Sequence, residues 1–424
     1  MGSWPRRWPE LGANTAEINA WAASGAMALT GRAHRAPLGP PAGLVPTLAR
    51  FADQLAEHPD AAGYPLRVDP LALLGERAAI GGLRRQGSIS CGGATRLLPT
   101  RDGWLAVTLA RPDDVDLLPA WLEQTPPLPP PWVAVAAFVG SCSTAAAVER
   151  ATLLGLPVAG LPAPTSPAAT APGRPGSLPV RRREMPLAPV PPRPGALRVI
   201  DLSALWAGPL CGSLLAATGA EVIKVEATGR PDGARRGPSG FFDLLNAGKR
   251  SVALDLTEPQ GVGVLIDLLR DADVVIEASR PRALEQLGIH AEAVMATGRV
   301  KVWTSITAHG QTAPGRERVG FGDDAAVAGG LVVWDAAGPC FCADAVADPL
   351  TGLVAALATL DSVRGGGRWR LDVAMAEVAA AVAGPTQPIA SAPVVAAPRA
   401  RSVRHAAAPL GAHNATVLGT GGRR

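Results

Sequence analysis

Apolar positions along the second half of the chain follow two alternating periods. Short apolar runs occur at Arg198–Leu202, Ala220–Glu226, Ser251–Leu256, Asp273–Glu277 and Val300–Ile306. Between the third and fourth runs, apolar residues recur at helical spacing from Val262 to Leu269. Helices are also predicted from Ala207 to Gly219 and near Pro281–Leu287. Strands that alternate with helices are typical of α/β proteins, so we predict a doubly wound parallel sheet.

The first half of the chain has a less regular pattern. Residues 95–109 are predicted to form two strands that are joined by a turn at Arg101-Asp102-Gly103. The predicted helices of this half are 16–29, 46–56, 113–122 and 144–154. Two strands among helices predict a small α+β domain at about residues 75–160.

A proline-rich segment separates the two halves. Residues 161–197 contain eleven prolines. Proline lacks a backbone N–H and fixes φ, so this segment cannot form a regular helix or a central strand, and we expect an extended linker. The predicted division is therefore 1–160, the linker 161–197, a sheet domain at 198–385 and a C-terminal tail at 386–424.

Composition and charge exclude several classes of protein. The chain has 424 residues, of which 47% are apolar, and this length allows two or three domains. The net charge is only +4 and the longest basic run is Arg181–Arg183, so no nucleic-acid partner is expected. The first residues lack the apolar core of a signal peptide, and the uncharged segment 133–148 is short for a membrane span, so no membrane partner is expected.

Cysteine and histidine spacing gives no sign of a metal site. The five cysteines include no C-x-x-C pair, and the six histidines show no paired spacing. We therefore expect reduced thiols, no metal and a cytoplasmic location.

Three sequence features bear on nucleotide or phosphate binding. Glu226 ends the second strand, where dinucleotide-binding folds place an acid, but the preceding turn lacks G-x-G-x-x-G. NAD is therefore not expected, and Glu226 is interpreted as a solvated acid. Lys249-Arg250 either binds phosphate groups or is a solvated start of a strand. The solvated strand start is the favoured interpretation. Gly365–Gly367 is interpreted as a turn after a helix.

Asp348 is the acid with the most informative context. It directly precedes Pro349 and an apolar run, which predicts that Asp348 is an N-cap with proline at the first helical position. The helix N-terminus would then keep the carboxylate ionised and lower its pKa. Such a carboxylate is either only a cap or also a nucleophile. The residues alone favour the cap, because N-cap aspartates are common.

An internal repeat relates the two halves. Residues 23–27 with 39–45 resemble residues 328–332 with 348–354, and a predicted helix follows each. The first copy has Gly39 where the second has Asp348.

Several segments together resemble the family III coenzyme A-transferases of the CaiB/BaiF type. These segments are 198–226, 245–256, 272–288, 305–312, 348–354, 365–376 and 409–418. The first half resembles the same family in another order. Residues 96–122 and 145–161 resemble the start and end of the small domain, and residues 16–56 resemble the segment that normally holds the catalytic aspartate. The first half thus looks like a partial copy without the sheet.

This resemblance implies a fold, an activity and partners. The implied fold is a Rossmann-like CoA-binding domain with a smaller α+β domain. The implied reaction moves CoA between an acyl-CoA thioester and a carboxylic acid through a covalent aspartyl intermediate. Coenzyme A enters as acyl-CoA, and a homodimer is expected. The alternatives are a non-catalytic acyl-CoA-binding relative and, less favoured, an isomerase like α-methylacyl-CoA racemase.

The resemblance also assigns roles to particular residues. It makes Asp348 the nucleophile, and it makes the copy with Gly39 inert. The implied CoA contacts are Leu205, Trp206, Ala207, Lys224, Leu254, Ala278, Ser279 and Gln286. Ala278-Ser279 replaces an Asn-Phe pair, Ala227 replaces an arginine of some members, and Gly322 stands where an acid is usual. Phe321 stands where the racemases have a histidine, which argues against proton exchange at the α-carbon.

Overall fold

The computed structural model describes residues 14–163, 177–403 and 405–419. The strands are β1 (Thr95–Pro99), β2 (Trp104–Thr108), β3 (Val158–Gly160), β4 (Arg181–Glu184), β5 (Arg198–Asp201), β6 (Glu221–Ala227), β7 (Arg250–Leu254), β8 (Val274–Glu277), β9 (Val302–Thr307), β10 (Val333–Asp335), β11 (Gly338–Cys340) and β12 (Trp369–Ala374).

The helices are α1 (Thr15–Ser24), α2 (Leu44–Ala56), α3 (Glu76–Gly81), α4 (Pro112–Asp116), α5 (Leu118–Leu122), α6 (Pro131–Ser141), α7 (Thr144–Leu154), α8 (Ala207–Ala217), α9 (Ser239–Asn246), α10 (Pro259–Asp271), α11 (Pro281–Gln286), α12 (Ala291–Thr297), α13 (Gly322–Ala328), α14 (Ala347–Gly365), α15 (Met375–Ala380) and α16 (Asn414–Leu418). Short 3₁₀ turns lie between some of them.

The predicted parallel sheet is confirmed. Seven described strands form one sheet in the order β4-β12-β9-β8-β5-β6-β7. All neighbouring pairs are parallel except β4 with β12, which is antiparallel. The five apolar runs of the sequence correspond to β5 to β9.

Helices cover both faces of this sheet. Successive residues of a strand point to opposite faces, so each strand contributes to two cores. Val199 belongs to the core that includes α8 and α14, whereas the adjacent Ile200 belongs to the core that includes α10 and α12. Both residues are at most 1% exposed. Strands that are apolar on both faces explain why these runs show no polar alternation.

The predicted two-stranded turn of the first half is also confirmed. β1 and β2 pair antiparallel from Thr95 opposite Thr108 to Pro99 opposite Trp104, and β3 pairs with β2. Helices α5, α6 and α7 pack on one face of this small sheet around Trp121. Its other face packs against Val327 and Val332 of the second half.

The segments of the predicted domain division share contacts and cores. Helices α1 and α2 belong to the same core as α14, through residues such as Trp21 and Leu48. The proline-rich segment supplies the exposed, charged edge strand β4. The division of the chain into domains at 161–197 stays a prediction. Helices α1 and α2, which precede β1, pack in the same core as α14 of the second half.

The C-terminal tail covers the opposite edge of the large sheet. The backbone of Ser251 in β7 exchanges two hydrogen bonds with His413, donating to Nδ1 at 3.0 Å and accepting from its N–H at 2.9 Å. The side-chain amide of Asn414 donates to and accepts from the backbone of Ala253, both at 2.9 Å. His413 and Asn414 thus satisfy the outer hydrogen-bonding groups of β7 in place of another strand.

The described cysteines are free thiols, and four of the five are buried. Within the described ranges, no group of three or more His, Cys, Asp or Glu side chains is placed to hold a metal ion. None of the described helices is both long and apolar enough to cross a membrane.

Lys249 is buried rather than solvated, so the favoured sequence interpretation of its charge was wrong. Its Nζ donates to Asp201 Oδ2 and to the Pro209 carbonyl, each at 2.8 Å, and to Asn246 Oδ1 at 3.0 Å. The lysine therefore joins β5 to α8 and α9. Its amine is committed to these internal acceptors, since a buried charge needs partners.

Lys249→Met is expected to lower the free energy of unfolding by about 3–5 kcal/mol, because it leaves the Asp201 carboxylate buried without its partner. Urea unfolding measures this change. Lys301→Met is the matched control, because Asp273 keeps Arg193 and a backbone N–H as partners when Lys301 is lost. A loss in Lys249→Met no larger than in the control would contradict the expectation.

Candidate active site

Asp348 lies in the first turn of α14 and remains partly exposed. The helix begins at Ala347 after the N-cap Val346, so the prediction that Asp348 is the N-cap was wrong. The physical reason is that Val346 already has helical dihedral angles, φ −54° and ψ −29°. The N–H of Asp348 donates to the Ala345 carbonyl at 2.9 Å, which ties it to the preceding loop.

Three further carboxylates lie near Asp348, and with it they form what we term the carboxylate cluster: Asp323, Asp324, Asp344 and Asp348. Asp324 and Asp344 are fully buried. Asp323 Oδ1 accepts from the Ala345 N–H at 3.2 Å, and Asp324 Oδ1 accepts from the Phe321 N–H at 2.9 Å. Sequence reasoning missed these three acids. Two signals could have pointed to them: the Asp323-Asp324 pair after Gly322, and the position of Asp344 four residues before Asp348.

The predicted lowering of the Asp348 pKa was also wrong. Burial, together with the charges of Asp323, Asp324 and Asp344, raises the pKa of Asp348 to about 7. Burial likewise raises the pKa of Asp324 to about 7 and of Asp323 to about 6. Desolvation and like charges oppose ionisation more strongly than one helix N-terminus favours it.

Arg77, on α3 of the first half, is the cation that acts on Asp348 within this cluster. Its Nε donates to Asp344 Oδ2 at 2.9 Å and its Nη2 donates to Asp344 Oδ1 at 2.5 Å. Its guanidinium also lies 5.4 Å from the ring centroid of Trp206. Its charge lowers the pKa of Asp348 and partly offsets the effect of the three acids.

Gly322 makes room for the Asp348 carboxylate. A Cβ atom at this position would lie 2.2 Å from Asp348 Oδ2 and 2.5 Å from the Ala345 carbonyl oxygen. Real Cβ atoms do not approach other atoms this closely. An acid at position 322, the residue type that the resemblance led us to expect, would therefore compete with Asp348 for the same space.

The predicted contact residues 205–207 adjoin the helix of Asp348. A Cβ on Gly352 of α14 would lie 2.7 Å from the Ala207 carbonyl oxygen. Trp206 is buried beneath Arg77, whereas the Leu205 side chain is 42% exposed. Leu205 has φ +70°, and its N–H donates to Asp232 Oδ1 at 3.0 Å. A non-glycine residue with positive φ is uncommon outside functional turns.

The other predicted contact residues are spread along the sheet. Lys224 is buried, and its Nζ lies 2.9 Å from Asp232 Oδ2 and 2.7 Å from the Ser203 carbonyl. Leu254 is buried at the end of β7, Ser279 Oγ donates to Glu277 Oε2 at 3.2 Å, and Ala278 and Gln286 are exposed. Among the described contacts, none of these residues bonds to the carboxylate cluster.

Glu226 and Gly39 are both buried. Glu226 is buried and pairs with Arg235 at 2.6 Å, so its interpretation as a solvated acid was wrong. Gly39 is buried, and a Cβ there would lie 2.3 Å from the Gln387 carbonyl oxygen. The first copy therefore has neither a carboxylate nor space for one at this position.

The chain matches one protein family and is similar to parts of several known proteins. CoA-transferase family III matches residues 196–416. The chain is 38% identical over 149 residues to the succinyl-CoA–D-citramalate CoA-transferase of Chloroflexus aurantiacus, covering 33% of this chain and 37% of that protein. It is 34% identical over 214 residues to the succinate–glutarate CoA-transferase of Agrobacterium fabrum, covering 45% and 53%.

Solved structures give matches of similar extent. A hypothetical protein of Mycobacterium tuberculosis is 33% identical, with a TM-score of 0.41, over 46% of this chain and 56% of that one. The chain thus spans about a third to a half of the length of the two curated relatives.

Proposed function

Since the chain belongs to CoA-transferase family III, we propose that it is an enzyme that moves CoA between an acyl-CoA thioester and a carboxylic acid, with Asp348 as its nucleophile. One observation carries the proposal. Asp348 is partly exposed in the first turn of α14, one turn before Gly352, which packs against the Ala207 carbonyl, and Gly322 leaves space for the Asp348 carboxylate.

The proposed reaction begins at the Asp348 carboxylate. Its oxygen attacks the thioester carbonyl, the C–S bond breaks, and CoA leaves as a thiolate. The mixed anhydride that forms is then attacked by that thiolate at the Asp348 carbonyl, so that the donor acid leaves and an aspartyl-CoA thioester remains. An acceptor carboxylate collects CoA by the reverse steps. Covalent catalysis of this kind divides one difficult step into easier ones.

In this proposal, the predicted CoA-contact residues hold the substrate in place and take no part in the bond changes. Leu205, Trp206 and Ala207 hold the thioester end of CoA beside α14. Leu254 ends β7, Ala278 and Ser279 directly follow β8, and Gln286 ends α11. Open α/β sheets bind ligands at the carboxyl ends of their strands. Lys224 acts indirectly, because its amine fixes Asp232 and thereby the Leu205 N–H.

We further propose that the enzyme needs neither metal nor NAD and works as a cytoplasmic homodimer. The named relatives act on succinyl-CoA, citramalate, succinate and glutarate. Succinyl-CoA is therefore the first donor to test, and glutarate is the first acceptor.

The test is intact-protein mass after incubation with a panel of acyl-CoAs that includes succinyl-CoA. The proposal expects a mass increase equal to CoA less one water on the wild type and none on Asp348→Ala. Addition of glutarate should then remove the adduct and release glutaryl-CoA. If the wild type binds CoA but forms no adduct with any donor, the transferase proposal fails.

A non-catalytic acyl-CoA-binding protein is the second candidate. The observation that favours it is the internal pairing of Lys224 with Asp232, which removes a free cation from the predicted CoA contacts. It predicts CoA binding that is unchanged in Asp348→Ala. An isomerase is disfavoured, because Phe321 carries no group that can accept a proton.

Adduct formation is expected to increase with pH and to level off above about pH 7. The nucleophile must be ionised, and the pKa of Asp348 is raised to about 7, so the rate should fall about tenfold per pH unit below that value. Rapid-quench measurements of thiol release check this. His309→Gln should show the same profile, since burial lowers the pKa of His309 to about 3. A midpoint near pH 4 would contradict the expected ionisation.

A further inference from the structure

The loop that leads into Asp348 is strained. Ala343 and Ala345 have φ of 53° and 42°, in the left-handed region that residues other than glycine rarely adopt. Each such residue costs on the order of 1 kcal/mol or more, so surrounding contacts must hold the loop. Because Asp348 N–H donates to the Ala345 carbonyl, the position of this loop determines where the first turn of α14 begins.

Side chains of the first half of the chain provide much of that support. Thr30 Oγ1 accepts from the Ala343 N–H at 3.0 Å, and the Cys91 thiol donates to the Ala343 carbonyl at 3.4 Å. Between the two strained alanines, Asp344 is held by both nitrogens of the Arg77 fork. The side chain of Asp344 is 0% exposed and that of Arg77 is 32% exposed. A fully buried carboxylate needs such a partner to remain charged.

The charges around Asp348 make Arg77 more than a support for the loop. Asp323, Asp324 and Asp344 face Asp348 as acids, and Arg77 is the cation that acts on it. Arg318 acts on Asp324 and on His309, which is neutral because its pKa is low. Burial raises the pKa of the neighbouring Cys91 thiol, which therefore adds no charge.

We propose that Arg77 is a positioning residue for Asp348: through Asp344 it holds the 343–345 loop, and its charge keeps the Asp348 carboxylate ionised. The catalytic consequence rests on the proposed function, whereas the effect on ionisation does not. The first half of the chain has Gly39 where its copy of the repeat would need a carboxylate. By supplying Arg77, this half completes the site around Asp348 within one chain.

The experiment titrates Asp348 directly. Protein labelled with ¹³C at the aspartate carboxyl groups is followed by NMR against pH, and the Asp348 signal is identified by its loss in Asp348→Asn. Arg77→Gln should raise the midpoint of Asp348 by about one to two pH units, the effect of removing one nearby opposite charge. Arg32→Gln is the control, because Arg32 also joins the halves through Asp335 but lies outside the carboxylate cluster. A folded Arg77→Gln with an unchanged midpoint overturns the proposal.

Two further variants keep the test decisive if Arg77→Gln fails to fold. Arg77→Gln combined with Asp344→Asn leaves neither member of that ion pair buried without the other. The midpoint of Asp348 should rise less than in Arg77→Gln alone, because the larger effect of Arg77 and the smaller, opposite effect of Asp344 are lost together, and adduct formation should still slow about tenfold or more. Arg77→Lys should keep the midpoint but react more slowly, because one amine cannot hold both Asp344 oxygens. Wild-type rates in both variants would overturn the positioning role.

The titration also separates this inference from the proposed function, since it requires no substrate. If the wild type forms no adduct but Arg77→Gln shifts the Asp348 midpoint, the transferase proposal fails and the ionisation role of Arg77 stands. If the adduct forms but Arg77→Gln leaves the Asp348 midpoint unchanged, the transferase proposal stands and the ionisation role of Arg77 fails.

Discussion

Asp348→Asn is expected to reduce CoA-adduct formation about a thousandfold or more while the protein remains folded. Asparagine has the size of aspartate and fits the space beside Gly322, but its amide is not a nucleophile toward a thioester. The loss should therefore appear in the rate of the chemical step, measured as thiol release in a single turnover, with little change in CoA binding.

The same substitution should make the protein more stable at neutral and alkaline pH. The folded-state pKa of Asp348 is raised to about 7, well above that of an unfolded aspartate. Ionised Asp348 therefore opposes folding, and its cost increases as the pH rises toward 7. Asparagine removes this cost, so the gain in unfolding free energy should be larger at pH 8 than at pH 5.

Asp361→Asn is the matched control. Asp361 lies on the same helix but at its far end, where it bonds to His58 at 3.1 Å and to Arg364 at 3.3 Å. The control should react at the wild-type rate and show no gain in stability at high pH. Retained adduct formation in Asp348→Asn would exclude Asp348 as the nucleophile.

Gly322→Ala is expected to slow adduct formation about a hundredfold, because a displacement of about 1 Å in a reacting group costs that much. The added methyl would overlap both Asp348 Oδ2, at 2.2 Å, and the backbone oxygen of Ala345, at 2.5 Å. The carboxylate can rotate, but the backbone oxygen belongs to the strained loop and cannot move without displacing the first turn of α14. Kinetics and a crystal structure of the variant together test this.

Gly263→Ala is the control for the glycine substitution. Gly263 lies in α10, and a Cβ there would contact nothing within 4 Å. Replacement should leave activity unchanged and raise stability by about 0.5–1 kcal/mol, the difference in helix propensity. A Gly322→Ala enzyme that is as active as Gly263→Ala would show that the cluster tolerates the methyl group.

The sequence predicted the sheet well because its strands are buried on both faces. Runs such as Asp273–Glu277 are short, apolar and separated by helical patterns, so each one could be identified without knowledge of its neighbours. The turn between β1 and β2 could also be identified from its own residues, since Asp102-Gly103 is a strong hairpin signal.

The candidate site was less predictable, because its chemistry depends on contacts between distant residues. Arg77 and Asp344 are 267 positions apart, and no local pattern relates them. The pKa of Asp348 was predicted in the wrong direction for the same reason. The helix N-terminus is a local feature, whereas two of the three acids that oppose ionisation, Asp323 and Asp324, lie on another helix and are brought in by tertiary packing. Lys249 likewise looked solvated because its acceptors come from other elements.

The two edges of the large sheet restrict how two copies of this chain can associate. At one edge, His413 and Asn414 already occupy the hydrogen-bonding groups of β7. At the other, all four residues of β4 are charged and exposed, and Arg181, Arg182 and Arg183 pair with acids of their own chain, so an approaching identical strand would have to desolvate these ion pairs. Continuation of the sheet from one subunit into the next is therefore disfavoured at both ends. A homodimer would have to assemble through helices and loops, and the same two features protect the chain from fibril-like stacking.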